Sequence, residues 1–178
     1  MKTAIGIILF PFMCLFLSFF VLLSDPAFTY LLLDNPEAVQ PTQQLMQYFW
    51  RQAEVPAIFN EQEKTHLADV KQLISYAYYL LEILIVVVTY CMIDDWRKVI
   101  RWGTALLAAL IALAAITPFD TFFTYFHNMF FPQGNWQFPI DSTLIQFYPA
   151  TFFVNYSIAI AVHALIAAFT FIIVSRKG

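Results

Sequence analysis

Charged residues make up only 12% of this 178-residue chain, while 61% are hydrophobic. A soluble domain carries about a quarter charged residues, and a water-soluble fold of this length could not bury so much apolar surface. Basic residues number nine against twelve acidic ones, a net charge of -3, so there is no basic face for nucleic acid. Only two cysteines occur, Cys14 and Cys91, both inside apolar runs and without metal-ligand spacing. They read as buried thiols. No P-loop, dinucleotide fingerprint, Gly-x-Ser-x-Gly elbow or HExxH-type spacing is present. That leaves no cofactor or metal to expect and no obvious nucleophile for a covalent acyl-enzyme. Proton-transfer catalysis remains open.

What the chain has instead is long apolar runs and rings. Aromatics reach 19%, with 20 phenylalanines, a load suited to membrane-water interfaces. About 20 apolar residues cross a bilayer as a helix. Four stretches qualify, at about residues 4–23, 73–93, 99–116 and 150–174. The first is too long for a signal peptide and lacks a small-x-small cleavage site; its Pro11 should be tolerated inside the helix. Only Asp94-Asp95-Trp96-Arg97-Lys98 separates the second and third, which should form an antiparallel hairpin.

Basic residues near the span ends set orientation. Lys2, Arg97, Lys98, Arg101, Arg176 and Lys177 fall on one side, against Arg51, Lys64 and Lys71 on the other. The expectation is an all-α membrane protein, a single domain over residues 1–178. It is a four-helix bundle with both termini in the cytoplasm and a small extracytoplasmic cap from residues 24–72 and 117–149.

The first outer segment should hold a short amphipathic helix around Leu45–Trp50. Asn60, with Glu63 three residues on, reads as a capping box opening one long helix from about Glu61 to Ile93. His66, Asp69, Val70 and Leu73 share a face of it. A carboxylate one turn from a histidine can orient the ring and raise its basicity. Lys71 points elsewhere, at a level where it could meet a lipid phosphate. These residues read equally as an ordinary solvated helix entry.

The second outer segment begins with Thr117 as an N-cap and Pro118 at the first helical position. Its helix is dense in rings and should lie in the interface, with His127 near its end. Then come a turn containing Asn135 and Trp136, and a short helix capped by Asp141. One histidine in each outer segment suggests an acid-base pair at the membrane surface. Inside the spans, Glu82 and His163 lie at depths about one turn apart, so a Glu82–His163 pair could hold the bundle together or form a proton path.

The outer motifs resemble a bacterial family of four-span membrane proteins, formerly a domain of unknown function, that includes the lipoprotein intramolecular transacylase Lit. The resemblance rests on Phe59 through Lys71, on Phe126-His127 through Phe131 with Trp136 and Asp141, and on Leu144-Ile145, Tyr148-Pro149 and Phe152-Phe153. It implies an acyltransferase of the bacterial cytoplasmic membrane with its active face outside. The enzyme would move the sn-2 acyl chain of a diacylated lipoprotein to the amine of its N-terminal cysteine. His66 and His127 would be the catalytic pair, His66 oriented by Asp69, with base and acid roles that can be exchanged. Lys71, Asn135, Trp136 and Asp141 are candidates for holding substrate and lipid. The competing class is a non-enzymatic scaffold or accessory subunit of an envelope complex. A transporter using Glu82 and His163 is disfavoured by the lack of internal repeats.

Overall fold

A computed structural model describes residues 1–50 and 53–175. Arg51, Arg176 and Lys177, three of the residues weighed for orientation, lie outside the described residues. Among those described there is no strand. The elements are α1 (Lys2–Leu23), α2 (Pro26–Leu31), a 3-10 turn (Pro36–Ala38), α3 (Val39–Trp50), α4 (Glu61–Ala115), α5 (Phe119–Phe130), α6 (Thr143–Phe147) and α7 (Ala150–Ser175).

Three of these helices, α1, α4 and α7, are long and apolar enough to cross a membrane. α4 has 55 residues but is not one rod: Asp95 has non-helical backbone, φ -156° and ψ 77°. Its carboxylate accepts a hydrogen bond from the Lys98 amide at 3.0 Å, the bond an N-cap makes to open a new helix. Cys91 Cβ and Val99 Cγ2 lie 2.9 and 3.1 Å from where a Cβ on Gly6 would stand. Those two side chains are thus within about 6 Å of each other, whereas eight residues of straight helix rise ~12 Å. The chain doubles back at Asp95, as the short polar stretch predicts.

The chain divides into two compact units. The first comprises Met1–Leu22, Ala77–Thr117 and the described part of Ile158–Gly178. Its core is Phe10, Cys14, Val88, Val99, Ile100, Leu107, Ala164 and Ala168. Gly103 lets the Phe10 ring sit directly on its backbone, since a Cβ there would meet Phe10 Cδ1 at 2.7 Å. Small residues admit such close helix approach in lipid-facing bundles. Large apolar side chains, among them Ile8, Ile83, Val86, Ile93, Val162 and Ile166, remain exposed. So much exposed aliphatic surface on helices of this length suits hydrocarbon rather than water.

His163 does not pair with Glu82. Its Nδ1 lies 2.9 Å from Ser18 Oγ, while Glu82 is exposed. The depths match, but the helix rotation does not: Leu81, Leu84 and Val88 form the buried stripe of this arm, and position 82 is turned ~100° from 81.

The second unit comprises Pro118–Ser157 and the described part of Leu23–Tyr76. Asp25 caps α2, accepting from the amides of Ala27 and Phe28, and Asn35 caps the 3-10 turn. Thr42 and Tyr148 join their hydroxyls at 2.7 Å, and Phe59 meets Phe147 edge to face at 6.4 Å. Two expected caps differ. α5 begins at Phe119 behind an uncapped Pro118, because the Thr117 hydroxyl turns back to donate to the Leu113 carbonyl at 3.2 Å. α6 is capped by Ser142, whose Oγ accepts from the Ile145 amide, and Asp141 beside it is exposed.

Candidate functional site

The first turn of α4 fixes one wall of the site. Asn60 Oδ1 accepts from the Glu63 amide at 3.0 Å and Glu63 Oε2 accepts from the Asn60 amide at 2.8 Å, a reciprocal capping box. Glu63 is wholly buried, and its other oxygen accepts from the Leu144 amide at 2.9 Å. One carboxylate therefore opens α4 and ties it to the start of α6. The capping box is visible in the sequence; the second bond joins residues 81 apart and has no local signal.

One turn on, His66 is buried, 8% exposed, in edge-to-face contact with Phe131 at 4.8 Å and Phe138 at 5.5 Å. The His127 ring, brought by α5, stacks 6.1 Å from it at an interplanar angle of 27°. The structure thus brings together the two histidines that the sequence singles out, one from each polar segment. His127 is itself enclosed by Phe123 at 3.9 Å and Trp136 at 4.8 Å.

The electrostatics follow from this apolar cage. Burial pushes the His66 ring down to about 4; the neighbouring His127 adds to the fall, and Asn135 and Asp69 oppose it. Burial also lowers His127, partly offset by its bond to the Phe123 carbonyl. Both rings are therefore neutral near pH 7. His127 Nδ1 lies 2.8 Å from the Phe123 carbonyl oxygen. A carbonyl only accepts, so Nδ1 carries the hydrogen and Nε2 keeps a lone pair.

Asp69 is not bonded to His66. Its Oδ2 accepts from Gln133 Nε2 at 2.7 Å and from Asn135 Nδ2 at 2.6 Å. Positions 66 and 69 share a helix face, but the carboxylate is taken up by the turn that follows α5. Gln133 and the Phe138 ring are site residues that sequence reasoning missed, and Phe131 entered only as part of the resembling motif; all three lie on an irregular stretch without periodicity. Lys71 stands over the Tyr48 ring at 4.1 Å and is not part of the histidine cluster. An open cleft of about 360 Å³ runs from Asp69 and Gln133 past Leu73 and Tyr76 to Met129 and Phe130. A larger one of about 460 Å³, lined by Ser24, Tyr30, Gln43 and Trp50 among others, shares no residue with the histidine cluster. Among the described residues no group of three His, Cys, Asp or Glu side chains could hold a metal ion.

Chemically, the arrangement offers two neutral imidazoles in an apolar cage beside an amphipathic cleft. Comparison with known proteins identifies a family and a fold. The family model described as lipoprotein intramolecular transacylase Lit matches residues 3–153. The in meso structure of the membrane integral lipoprotein intramolecular transacylase Lit from Bacillus cereus is similar in fold. Its TM-score is 0.79 at 17% identity, covering 99% of this chain and 93% of that one. A variant of the same Bacillus cereus protein with one histidine changed to alanine gives a TM-score of 0.79, also at 17% identity, covering 99% and 91%. An uncharacterized protein of Aquifex aeolicus (strain VF5) is 26% identical over 110 residues, 58% of this chain and 50% of that protein. The chain thus matches about half the length of that curated relative.

Proposed function

The chain belongs to the lipoprotein intramolecular transacylase Lit family, and from that premise we propose that it transfers an acyl chain within a lipoprotein. The substrate is a diacylglyceryl-cysteine lipoprotein at the outer leaflet of the bacterial cytoplasmic membrane. The sn-2 ester carbonyl is attacked by the α-amine of the N-terminal cysteine, giving the N-acylated lyso form. The observation that carries this reading is the stacking of two neutral histidines, His66 buried and His127 half-buried, 6.1 Å apart.

Proton stoichiometry explains why two bases serve the reaction. An α-ammonium that becomes an amide nitrogen loses two protons. One is lost before attack, and one is lost from the tetrahedral adduct. His66, neutral because its ring is held near 4, receives the first and passes it to solvent. His127, whose Nε2 lone pair is left free by the Phe123 bond, takes the second. It then delivers that proton to the glyceryl oxygen as the ester C–O bond breaks. The atoms balance with one proton released to water. Amine and ester are on one molecule, so holding them together replaces an acyl-enzyme step. The apolar rings around the reacting groups disfavour attack of water on the ester in place of the amine and disfavour a charged amine in the resting complex.

The cleft beside Asp69 supports an entry for the lipidated cysteine from the membrane side, with Trp136 walling the His127 side of the cage. Lys71 and Asp141 are candidates for headgroup and peptide contacts away from the reacting bond. In this account the two arms of α4 are separate spans. Together with α1 and α7 they make four crossings, with both termini cytoplasmic and the histidines on the outer face.

Expression in a bacterium with no other N-acylation route tests the reading. Mass spectrometry of its lipoproteins should show conversion of the diacyl to the lyso form. His66→Ala and His127→Ala should each reduce conversion ~100-fold or more, within the usual range for a lost acid-base group. An unchanged lipoprotein profile with well-expressed wild-type protein contradicts the activity; full conversion by either variant contradicts the assigned chemistry.

A further inference from the structure

Two buried polar atoms in the site have no hydrogen-bond partner: Nδ1 of His66 and Oδ1 of Asn135. An orphaned polar atom in an apolar cage costs about 1–3 kcal/mol, and these two belong to side chains of the same cluster. Their chemistry is complementary, since an imidazole N–H donates and an amide oxygen only accepts.

Which end of the Asn135 amide is the oxygen is decided by Asp69. Its carboxylate Oδ2 accepts from Asn135 Nδ2 at 2.6 Å and from Gln133 Nε2 at 2.7 Å. An ionised carboxylate takes only donors, so the amide nitrogen must face it and the oxygen must turn inward. Asn135 also favours the protonated ring of His66, as an acceptor beside an N–H would. Among the described residues no side chain makes a hydrogen bond to the His66 ring; its ring neighbours are His127, Phe131 and Phe138.

Both atoms stand unpaired in this structure; we propose that a small side-chain adjustment closes them on each other, making Asn135 the positioning residue for His66: its side-chain oxygen then receives the ring Nδ1–H and so fixes the tautomer in which Nε2 is the free base. Asp69 acts one step further out, by holding the amide the right way round. The carboxylate works on the histidine through an amide rather than by touching it. The consequence for the reaction is that both rings present an unprotonated Nε2 in the resting state, His127 through the Phe123 carbonyl and His66 through Asn135. This deepens the two-histidine reading and rests on it for its catalytic meaning, but its test does not require activity.

The chain has three histidines, His66, His127 and His163, so nitrogen-15 NMR of histidine-labelled protein in detergent or nanodiscs resolves each ring. In the wild type at pH 7, His66 should show the Nδ1–H tautomer. In Asn135→Leu it should lose that preference, while His127 and His163 keep their signals as controls for folding. Asp69→Asn should produce a mixture of His66 tautomers, because an amide at 69 no longer dictates the orientation of the one at 135. Turnover on a diacylated lipopeptide should fall ~10-fold or more in Asn135→Leu, the scale seen when the hydrogen-bond partner that orients a working histidine is lost, mainly in kcat. An Nε2–H tautomer for His66 in the wild type overturns the proposal even if the enzyme is active. So does an unchanged His66 signal in a folded Asn135→Leu. An Nδ1–H tautomer lost on substitution, in a protein with no transacylase activity, upholds the positioning while rejecting the reaction.

Discussion

The buried residues of the first unit are almost all apolar or small: Phe10, Cys14, Val88, Val99, Leu107, Ala164 and Ala168, with Phe10 packed on Gly103. The second unit buries Glu63, His66, Thr42 and Ser142 among its rings, and side chains there bond partners far away in sequence. Lipid offers the helices no hydrophobic drive to associate, so the first unit depends on close van der Waals fit. The second has little regular structure outside its helices and must satisfy loop backbone with carboxylates and amides. Glu63, which staples it, stands one helical turn from His66, the group placed in the chemistry. The contrast teaches where to look: polar burial is incidental in one unit and organised in the other.

Four perturbations test that contrast. The largest expected effect is at Glu63, whose two oxygens serve two amides. Glu63→Ala should cost about 3 kcal/mol or more, as charge-assisted bonds to buried donors contribute ~1.5–3 each. Glu63→Gln, keeping one acceptor oxygen, should cost less in thermal unfolding.

Acid comes next. A histidine held below its unfolded value of 6.5 is neutral in the folded protein but charged in the unfolded one. Its contribution is therefore fully present above 6.5 and lost as pH falls toward about 4. For His66 that is roughly 3 kcal/mol at most. Unfolding followed between pH 7 and 4 should show the loss, and His66→Phe should flatten it.

Gly103→Leu should destabilise the first unit by ~1–3 kcal/mol through overpacking against Phe10, with the His66 and His127 signals unmoved. Smallest is Ser18→Ala. It removes the bond to His163, and interhelical hydrogen bonds in membrane helices average only ~0.6 kcal/mol. A cost above ~2 kcal/mol there would break the contrast drawn between the units.

How far these features are legible in sequence follows the range of the interactions. The apolar runs announce α1, α4 and α7, and the Asn60–Glu63 box and Asp95 turn are local signals that the structure reproduces. Two histidines on separate polar segments are found stacked, His66 against Phe131 and Phe138 and His127 against Phe123 and Trp136. The bond from Glu63 to Leu144, and those from Asp69 to Gln133 and Asn135, span 64 to 81 residues, and no periodicity encodes them. Glu82 and His163 illustrate the opposite failure. Depth along a helix is readable from residue count, but which way a side chain turns depends on a neighbour's packing, and Ser18 occupies the place Glu82 was expected to fill.

The account turns on two neutral imidazoles performing one intramolecular acyl transfer. The most direct measurement incubates purified protein in nanodiscs with a synthetic diacylglyceryl-cysteinyl peptide and follows the acyl chain by mass spectrometry. Prediction: the chain moves from the glyceryl sn-2 oxygen to the cysteine amine without release of free fatty acid, and His127→Ala does not support the transfer. Release of fatty acid with no N-acylated product, or undiminished transfer by His127→Ala, would contradict the account.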